Sequence, residues 1–240
     1  MSKAETAMVS WEDKMAAKAK DAAASERPSV STISFKSGVM KYMDQAVPEN
    51  NMDVISISTA HEHALYLDRY EADKPKPPSC FAISLDGENM VPHPNVKEPQ
   101  NPTCDGCKYL EWGSDLKGGR GKACKQIRRL GLVSASAEDL NKAELAMAKI
   151  PVTSVGNWAN YVNSVSAMYN RPPDAVITNM SVIPDAKTQF KVLFNTAGLL
   201  TEEQYAQIES RLEMVQNMLM TPYDVSETAA EPEEGNSKKY

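Results

Sequence analysis

The sequence predicts an α+β fold, mainly β with a few helices, on three observations. Segments with an apolar period of two recur at 30–38, 51–59, 127–133, 175–183 and 188–194. A single amphipathic helix stands between the third and fourth of them. Between Cys80 and Cys124 runs a long stretch with little periodicity and many Gly, Pro, Asn and Asp, which a compact domain tolerates only if something else organises it.

The chain has 240 residues, 42% hydrophobic and 24% charged, enough for one large domain or two small ones and far from a disordered or fibrous composition. Its formal charge of -6 argues against a surface coated in positive charge for duplex DNA. No run reaches the roughly 18 apolar residues of a membrane span, and Met1 to Arg27 lacks the apolar core of a secretory signal. The expectation is a cytoplasmic protein whose four cysteines stay reduced.

Residues 1–29 read as a helical or flexible arm, with Met8, Trp11, Met15 and Ala19 on one face and Arg27-Pro28 as its end. The core is expected over 30–222. A first strand starts at Val30 and closes at Gly38; a second runs from Asn51 to about Thr59. Ala60 to Tyr70 gathers His61, His63, Tyr66 and Tyr70, and the proline-rich Asp73–Ser79 is a rigid connector. After the cysteine segment, Ile127–Val133 is strand-like, whereas Ser136–Ile150 suits a short helix or a strand equally. Thr153 or Ser154 caps a helix with Val155, Trp158, Val162, Val165 and Tyr169 on one stripe, which makes Trp158 a core residue. Strands at Ala175–Ile183 and Thr188–Phe194 flank a turn at Pro184–Lys187, with Phe190 and Phe194 facing the core. Thr201 with Gln204 forms a capping box for a last helix carrying Tyr205, Ile208, Leu212, Val215 and Leu219. Residues 223–240 hold five acids against two lysines and read as a disordered acidic tail.

Cys104-Asp105-Gly106-Cys107 has the C-x2-C spacing that lets two thiolates grip one tetrahedral metal ion. With Cys80 and Cys124 it offers four thiolates for a closed, structural zinc site. Free thiols or a redox pair are the alternatives, although the strand-then-helix setting of a redox C-x-x-C is missing. His93, His61 or His63 is a possible substitute for one cysteine, while His61 and His63 also read simply as surface residues near a strand end.

The same segment carries the charge anomaly. No acid occurs between Asp115 and Glu138, while Lys117, Arg120, Lys122, Lys125, Arg128 and Arg129 supply six positive charges among Gly118, Gly119 and Gly121. Tyr109 and Trp112 precede them. A basic, glycine-rich loop beside aromatics suits tracking a phosphate backbone while stacking bases, and a solvated charged face is the plain alternative. The spacing is not that of a phosphate-binding P-loop. Dividing the charge by segment also explains the acidic total, since 1–27 sums to zero and 223–240 carries -3.

Set aside the cysteine segment, and the order strand, strand, strand, helix, strand, strand is that of an OB-type five-stranded barrel, here with a zinc-stabilised insert at about 80–124 and a C-terminal helix. At the level of motifs the chain resembles the single-stranded DNA-binding, helix-destabilising proteins of tailed phages. The likeness rests on Cys80 with Asp86-Gly87, Cys104-x-x-Cys107, Trp112-Gly113-Ser114, Gly119–Cys124, Arg128-Arg129-Leu130 and Pro151–Ser154 ahead of Trp158 and Tyr161, over roughly residues 30–220. It implies an OB core interrupted by a zinc insert and an acidic tail that contacts replication proteins. Two departures stand out: four cysteines where some relatives use three and a histidine, and a tail ending in Lys238-Lys239-Tyr240.

The expected function is therefore non-enzymatic, sequence-independent binding of single-stranded DNA in phage replication or recombination. Lys117, Arg120, Lys122, Lys125, Arg128 and Arg129 neutralise phosphates, and Trp112, Tyr109, Tyr66 or Tyr70 stack bases. The rival expectation is a zinc-stabilised adaptor holding a polymerase, nuclease or host factor. An enzyme is disfavoured because no nucleophile-base set is apparent and a four-thiolate zinc has no open position.

Overall fold

Alternation from Ser31 onward yields nine strands among the described residues, which in this computed structural model are 11, 14, 15, 18, 31–68 and 76–223. Residues 1–30 and 31–240 form separate units. In the first, Trp11, Lys14, Met15 and Lys18 are helical and exposed. The remainder of the predicted arm, Tyr70 and the acidic tail beyond Tyr223 lie outside the described residues.

The strands are β1 (Ser31–Ser34), β2 (Lys41–Tyr42), β3 (Gln45–Ala46), β4 (Asn51–Leu65), β5 (Cys80–Ser84), β6 (Lys125–Ser134), β7 (Ala146–Ile150), β8 (Val176–Asp185) and β9 (Gln189–Leu199). They make one curled sheet in the order β3-β2-β1-β7-β6-β4-β8-β9, with β5 added beside β4. Three α-helices complete the described part: α1 (Val152–Tyr169), α2 (Glu202–Glu209) and α3 (Leu212–Leu219).

One open assignment is settled and two strand boundaries are corrected. Of the two alternatives open at 136–150 the strand is the one formed, over its last five residues: Ala146, Ala148 and Ile150 are buried in alternation and form β7 beside β6. The first predicted strand shrinks to β1, which joins β7 in parallel at the sheet's flank. The path β7-β6-β4-β8-β9 consequently contains five strands without β1. Nor does the second strand stop at Thr59. A register shift between Ser56 and Ser58 inserts an extra residue into β4, and the strand continues to Leu65. Such a bulge places neighbouring residues on one face and bends the strand. Beyond it, Ala60, Glu62 and Ala64 share one face and His61, His63 and Leu65 the other.

The two faces carry separate cores. On one, Val54, Leu130, Leu132, Ala148 and Ile150 pack with Trp158, Tyr161 and Val165 of α1 and with Phe194. Each fully buried Leu or Ile contributes about 1.5–3 kcal/mol. Helix α1 begins at Val152 after Pro151, and Ser154 does not cap it. Its buried hydroxyl instead accepts the Val192 amide at 2.9 Å, tying the helix to β9. On the opposite face Ile55, Ile57, Ala60 and Val133 meet Ile208, Val215 and Leu219. Gly131 permits that approach, because a Cβ there would lie 2.2 Å from a methyl of Val215.

The Thr201–Gln204 capping box forms as expected, but the last helix breaks in two. Arg211 stands at the break, donating from Nη1 to the carbonyls of Leu140 and Ala143, both at 2.7 Å. In the β8–β9 hairpin, Pro184 stays within β8 opposite Phe190, and the turn is Ala186–Thr188, organised by the side chain of Asp185. Its carboxylate accepts from Thr188 N–H at 2.9 Å and Thr188 Oγ1 at 2.8 Å and pairs with Lys191 at 2.8 Å.

Candidate nucleic-acid interface and thiol cluster

Past the two cores, the end of β4 continues with β5 on one side and the start of β6 on the other, so that residues 61–65, 80–84 and 125–128 form a three-stranded arm. The segment from 85 to 124 folds over this arm. Strand β5 lies within the stretch expected to lack periodicity; its Cys80 pairs with Leu65.

Cys104 and Cys107 close a tight turn in which the Cys107 amide donates to the Cys104 carbonyl at 3.2 Å. Gly106 occupies the left-handed region with φ 71°, which an L side chain adopts only with strain. Cys80, Cys104, Cys107 and Cys124 all line one small cavity, together with His63, Leu65, Tyr109 and Leu110. Burial, and then the neighbouring thiols, push Cys104 up to about 11 and Cys124 up to about 12. The four sulfurs are thus electrostatic neighbours, although among the described residues no three His, Cys, Asp or Glu side chains stand in metal-ligating geometry. Four soft sulfurs lining one cavity are the donor chemistry that a structural zinc ion takes.

The basic loop has an organiser that charge counting did not reveal. Asp115 Oδ1 accepts the Lys117 amide at 2.9 Å, its own amide donates to the Gly121 carbonyl at 3.1 Å, and its carboxylate lies against Gly119 and Gly121. It also pairs with Lys125 at 3.7 Å. This folded loop leaves Trp112 80% exposed, the most exposed large apolar side chain after residue 30 among those described. Lys122 stands over its ring, 5.4 Å from the centroid, a cation–π contact. From Lys122 a hydrogen-bonded chain leads back to the sheet: Lys122 Nζ donates to Gln126 Oε1 at 2.9 Å, and Gln126 Nε2 meets His63 Nε2 at 3.1 Å. Since Gln126 uses its oxygen on Lys122, its amide nitrogen is the donor to His63. Burial, followed by His61 and the cations Lys122 and Arg128, lowers His63 to about 4.

The predicted site residues separate into three groups. Lys117, Arg120, Lys122, Lys125 and Trp112 share the loop and its base, and Arg128 lies on the arm's sheet face beside His61. Tyr109 packs with Leu65, Ala123 and Cys124 in the insert's own small core, with Lys108 over its ring, so its role is to hold the insert. Arg129 is the clear correction. It is 1% exposed, its Nε ion-pairs with Glu62, and its Nη1 donates to the carbonyls of Leu219 and Thr221 at 2.7 Å each. Adjacent arginines on a strand point to opposite faces, and Arg129 points under α3.

Glu62, Lys149 and Tyr223 were missed in the sequence and complete that buried cluster. Glu62 is fully buried, accepts from the Tyr223 hydroxyl and pairs with Lys149 at 3.3 Å. Lys149 Nζ also reaches the Tyr223 oxygen at 2.7 Å and sits over its ring. Burial holds Lys149 below its ordinary value and, with Glu62 beside it, drives Tyr223 far above. Tyr66, 46% exposed, has Tyr223 and Glu62 as neighbours and belongs with this cluster on the back of the arm. The available signal was Glu62 itself, an acid between Ala60 and Ala64 on a face otherwise fit for burial.

No family model, curated protein or solved structure matches this chain. No helix among the described residues is long and apolar enough to cross a membrane.

Proposed function

We propose that this chain is a non-enzymatic, sequence-independent single-stranded DNA-binding protein, of the kind used in phage replication or recombination, built on an OB-type barrel with a zinc-stabilised insert. The observation that carries the reading is Trp112, held in solvent under Lys122 at the head of a folded basic loop. An exposed indole costs stability in water and gains about 1–3 kcal/mol for each base stacked on it. The path β7-β6-β4-β8-β9, with α1 between β7 and β8, supports the barrel reading. In that scheme the insert occupies the connection between the first two barrel strands, β4 and β6, a loop with which such barrels grip oligonucleotides.

Zinc, held by Cys80, Cys104, Cys107 and Cys124, supplies a cross-link and no chemistry. The protein's own residues do the binding: Lys117, Arg120, Lys122 and Lys125 meet phosphates and Trp112 stacks. Replication proteins are the partners expected of the acidic C-terminal residues.

The test is a titration of the protein with oligo-dT across a salt series, read by tryptophan fluorescence, alongside metal analysis of the purified protein. Binding should fall with salt at a log–log slope of about -0.7 per phosphate contact, and one zinc per chain should be recovered. Fluorescence unmoved by oligonucleotide overturns the binding reading in favour of an adaptor. A protein with no zinc overturns the metal assignment.

A further inference from the structure

We propose that Arg128, on the sheet face and backed by His61, is a fixed anchor for a backbone phosphate, so that a bound strand leaves the Trp112 loop and crosses the arm of β4 and β6. This rests on the single-strand reading above and adds the route and its end point.

Arg128 differs from the other cations of the arm in lacking a partner. Arg129 has Glu62, Lys149 has Glu62 and Tyr223, and Lys125 has Asp115. Arg128 is half-buried, yet among the described residues its guanidinium has neither a hydrogen bond nor an ion pair. Its neighbours across the strands are His61 on β4 and Ile150 on β7. Burial holds its pKa below the ordinary value.

A guanidinium drawn partly out of water without an anion is a costly arrangement that an incoming phosphate relieves, with two N–H groups meeting two oxygens. The surroundings add cations and hardly any acid. Arg128 and Lys122 both act on His63, and Arg128 acts on His61. The acid that acts on His61 is Asp86, whose exposed carboxylate is occupied by the Ser84 hydroxyl at 2.6 Å and the Glu88 amide at 2.9 Å.

His61 is held in place by the same turn. Gly87, with φ 76°, packs on the imidazole so closely that a Cβ would stand 2.1 Å from Nδ1. The ring is therefore a fixed wall beside the guanidinium. Trp112, Lys122, Gln126 and Arg128 then form a continuous strip from loop to sheet, with one exposed stacking surface and cations on either side of a neutral amide. A phosphodiester chain has the repeated negative charge and flat bases that this strip matches.

The test compares Arg128→Ala and Arg128→Lys with the unmodified full chain in the oligo-dT salt titration, with thermal melting of each. Arg128→Ala should bind tenfold or more weakly at low salt, with a slope shallower by about 0.7, the loss of one phosphate contact. Arg128→Lys should keep the wild-type slope and recover part of the affinity, since it keeps charge but not the two-pronged geometry. If wild type binds and Arg128→Ala has an unchanged slope, the anchor is wrong while single-strand binding stands. If wild type itself does not bind, both fall. Should Arg128→Ala fail to fold, Arg128→Lys decides: a shallower slope in that folded, still-charged variant refutes the proposal, and a preserved slope with reduced affinity supports it.

Discussion

Replacing Arg129 separates structure from binding more sharply than any other change. Arg129→Met removes the guanidinium that meets Glu62 and the carbonyls of Leu219 and Thr221, and leaves a fully buried carboxylate. Breaking one side of a buried ion pair costs about 3–5 kcal/mol. Lys149 still faces Glu62 at 3.3 Å, which places the expectation at the lower end of that range. With a urea m-value of about 3 kcal/mol/M, the midpoint should fall by about 1 M. In Glu62→Leu/Arg129→Met both charges are gone, so most of that loss should be recovered, since apolar replacements of whole buried pairs are often neutral or better. Tyr223 and Lys149 lose their acid in the double variant, which limits the recovery. Urea unfolding followed by far-UV circular dichroism gives the stability, and the oligo-dT salt slope gives the binding. The double variant should keep the wild-type slope because Arg129 never reaches a phosphate. A folded double variant whose slope becomes shallower by one contact would refute this reasoning and return Arg129 to the binding surface.

Three further outcomes are expected. Trp112→Ala should weaken oligo-dT binding by one lost stack, about 1–3 kcal/mol or roughly five- to 150-fold, with the melting temperature unchanged because the indole is exposed; a large drop in melting temperature would place it in a core. Gly131→Ala drives a Cβ into Val215 and should cost about 1–3 kcal/mol as overpacking, measured by urea unfolding, with a wild-type midpoint contradicting the close approach of α3. Lys191, then Thr188, holds the Asp185 carboxyl well below its usual 3.8, so its contribution to stability is fully present above pH about 4 and is lost as the pH falls through the depressed value; amide protection in the β8–β9 turn, taken relative to the intrinsic exchange rate at each pH, should fall on acidification, and Asp185→Asn should remove that acid-dependent part.

The sequence was legible where one period or one local motif decided the structure. The Thr201–Gln204 box, the α1 stripe through Trp158 and Val165, and the β8–β9 alternation depend on near neighbours. Strand β7 and the far half of β4 do not. At 136–150 two periods fit equally, and only pairing with β6 selects the strand. The bulge at Ile57 resets the alternation of β4, so in the sequence His61 and His63 read as surface residues near a strand end. The same distinction holds for the site. Cysteine spacing and the run of basic residues single out the right segment, but side-chain direction within Arg128-Arg129 depends on strand register and on which face α3 covers. The partnership of Glu62 with Lys149 and Tyr223 joins positions 87 and 161 residues apart, beyond any local signal. Asp115 also shows that the loop's shape comes partly from its own hydrogen bonds, where sequence reasoning assigned it to zinc.

Tyr223 immediately precedes the five-acid C-terminal segment, and its hydroxyl is locked to Glu62 and Lys149. For protein engineering, this makes the bond before residue 223 a cut point to avoid. A chain shortened before Tyr223 loses a folded side chain from the back of the arm, whereas one ending at Tyr223 loses the acidic segment alone. Deletions differing by a single residue will therefore differ in kind, and only the longer one reports on what the acidic segment does to binding.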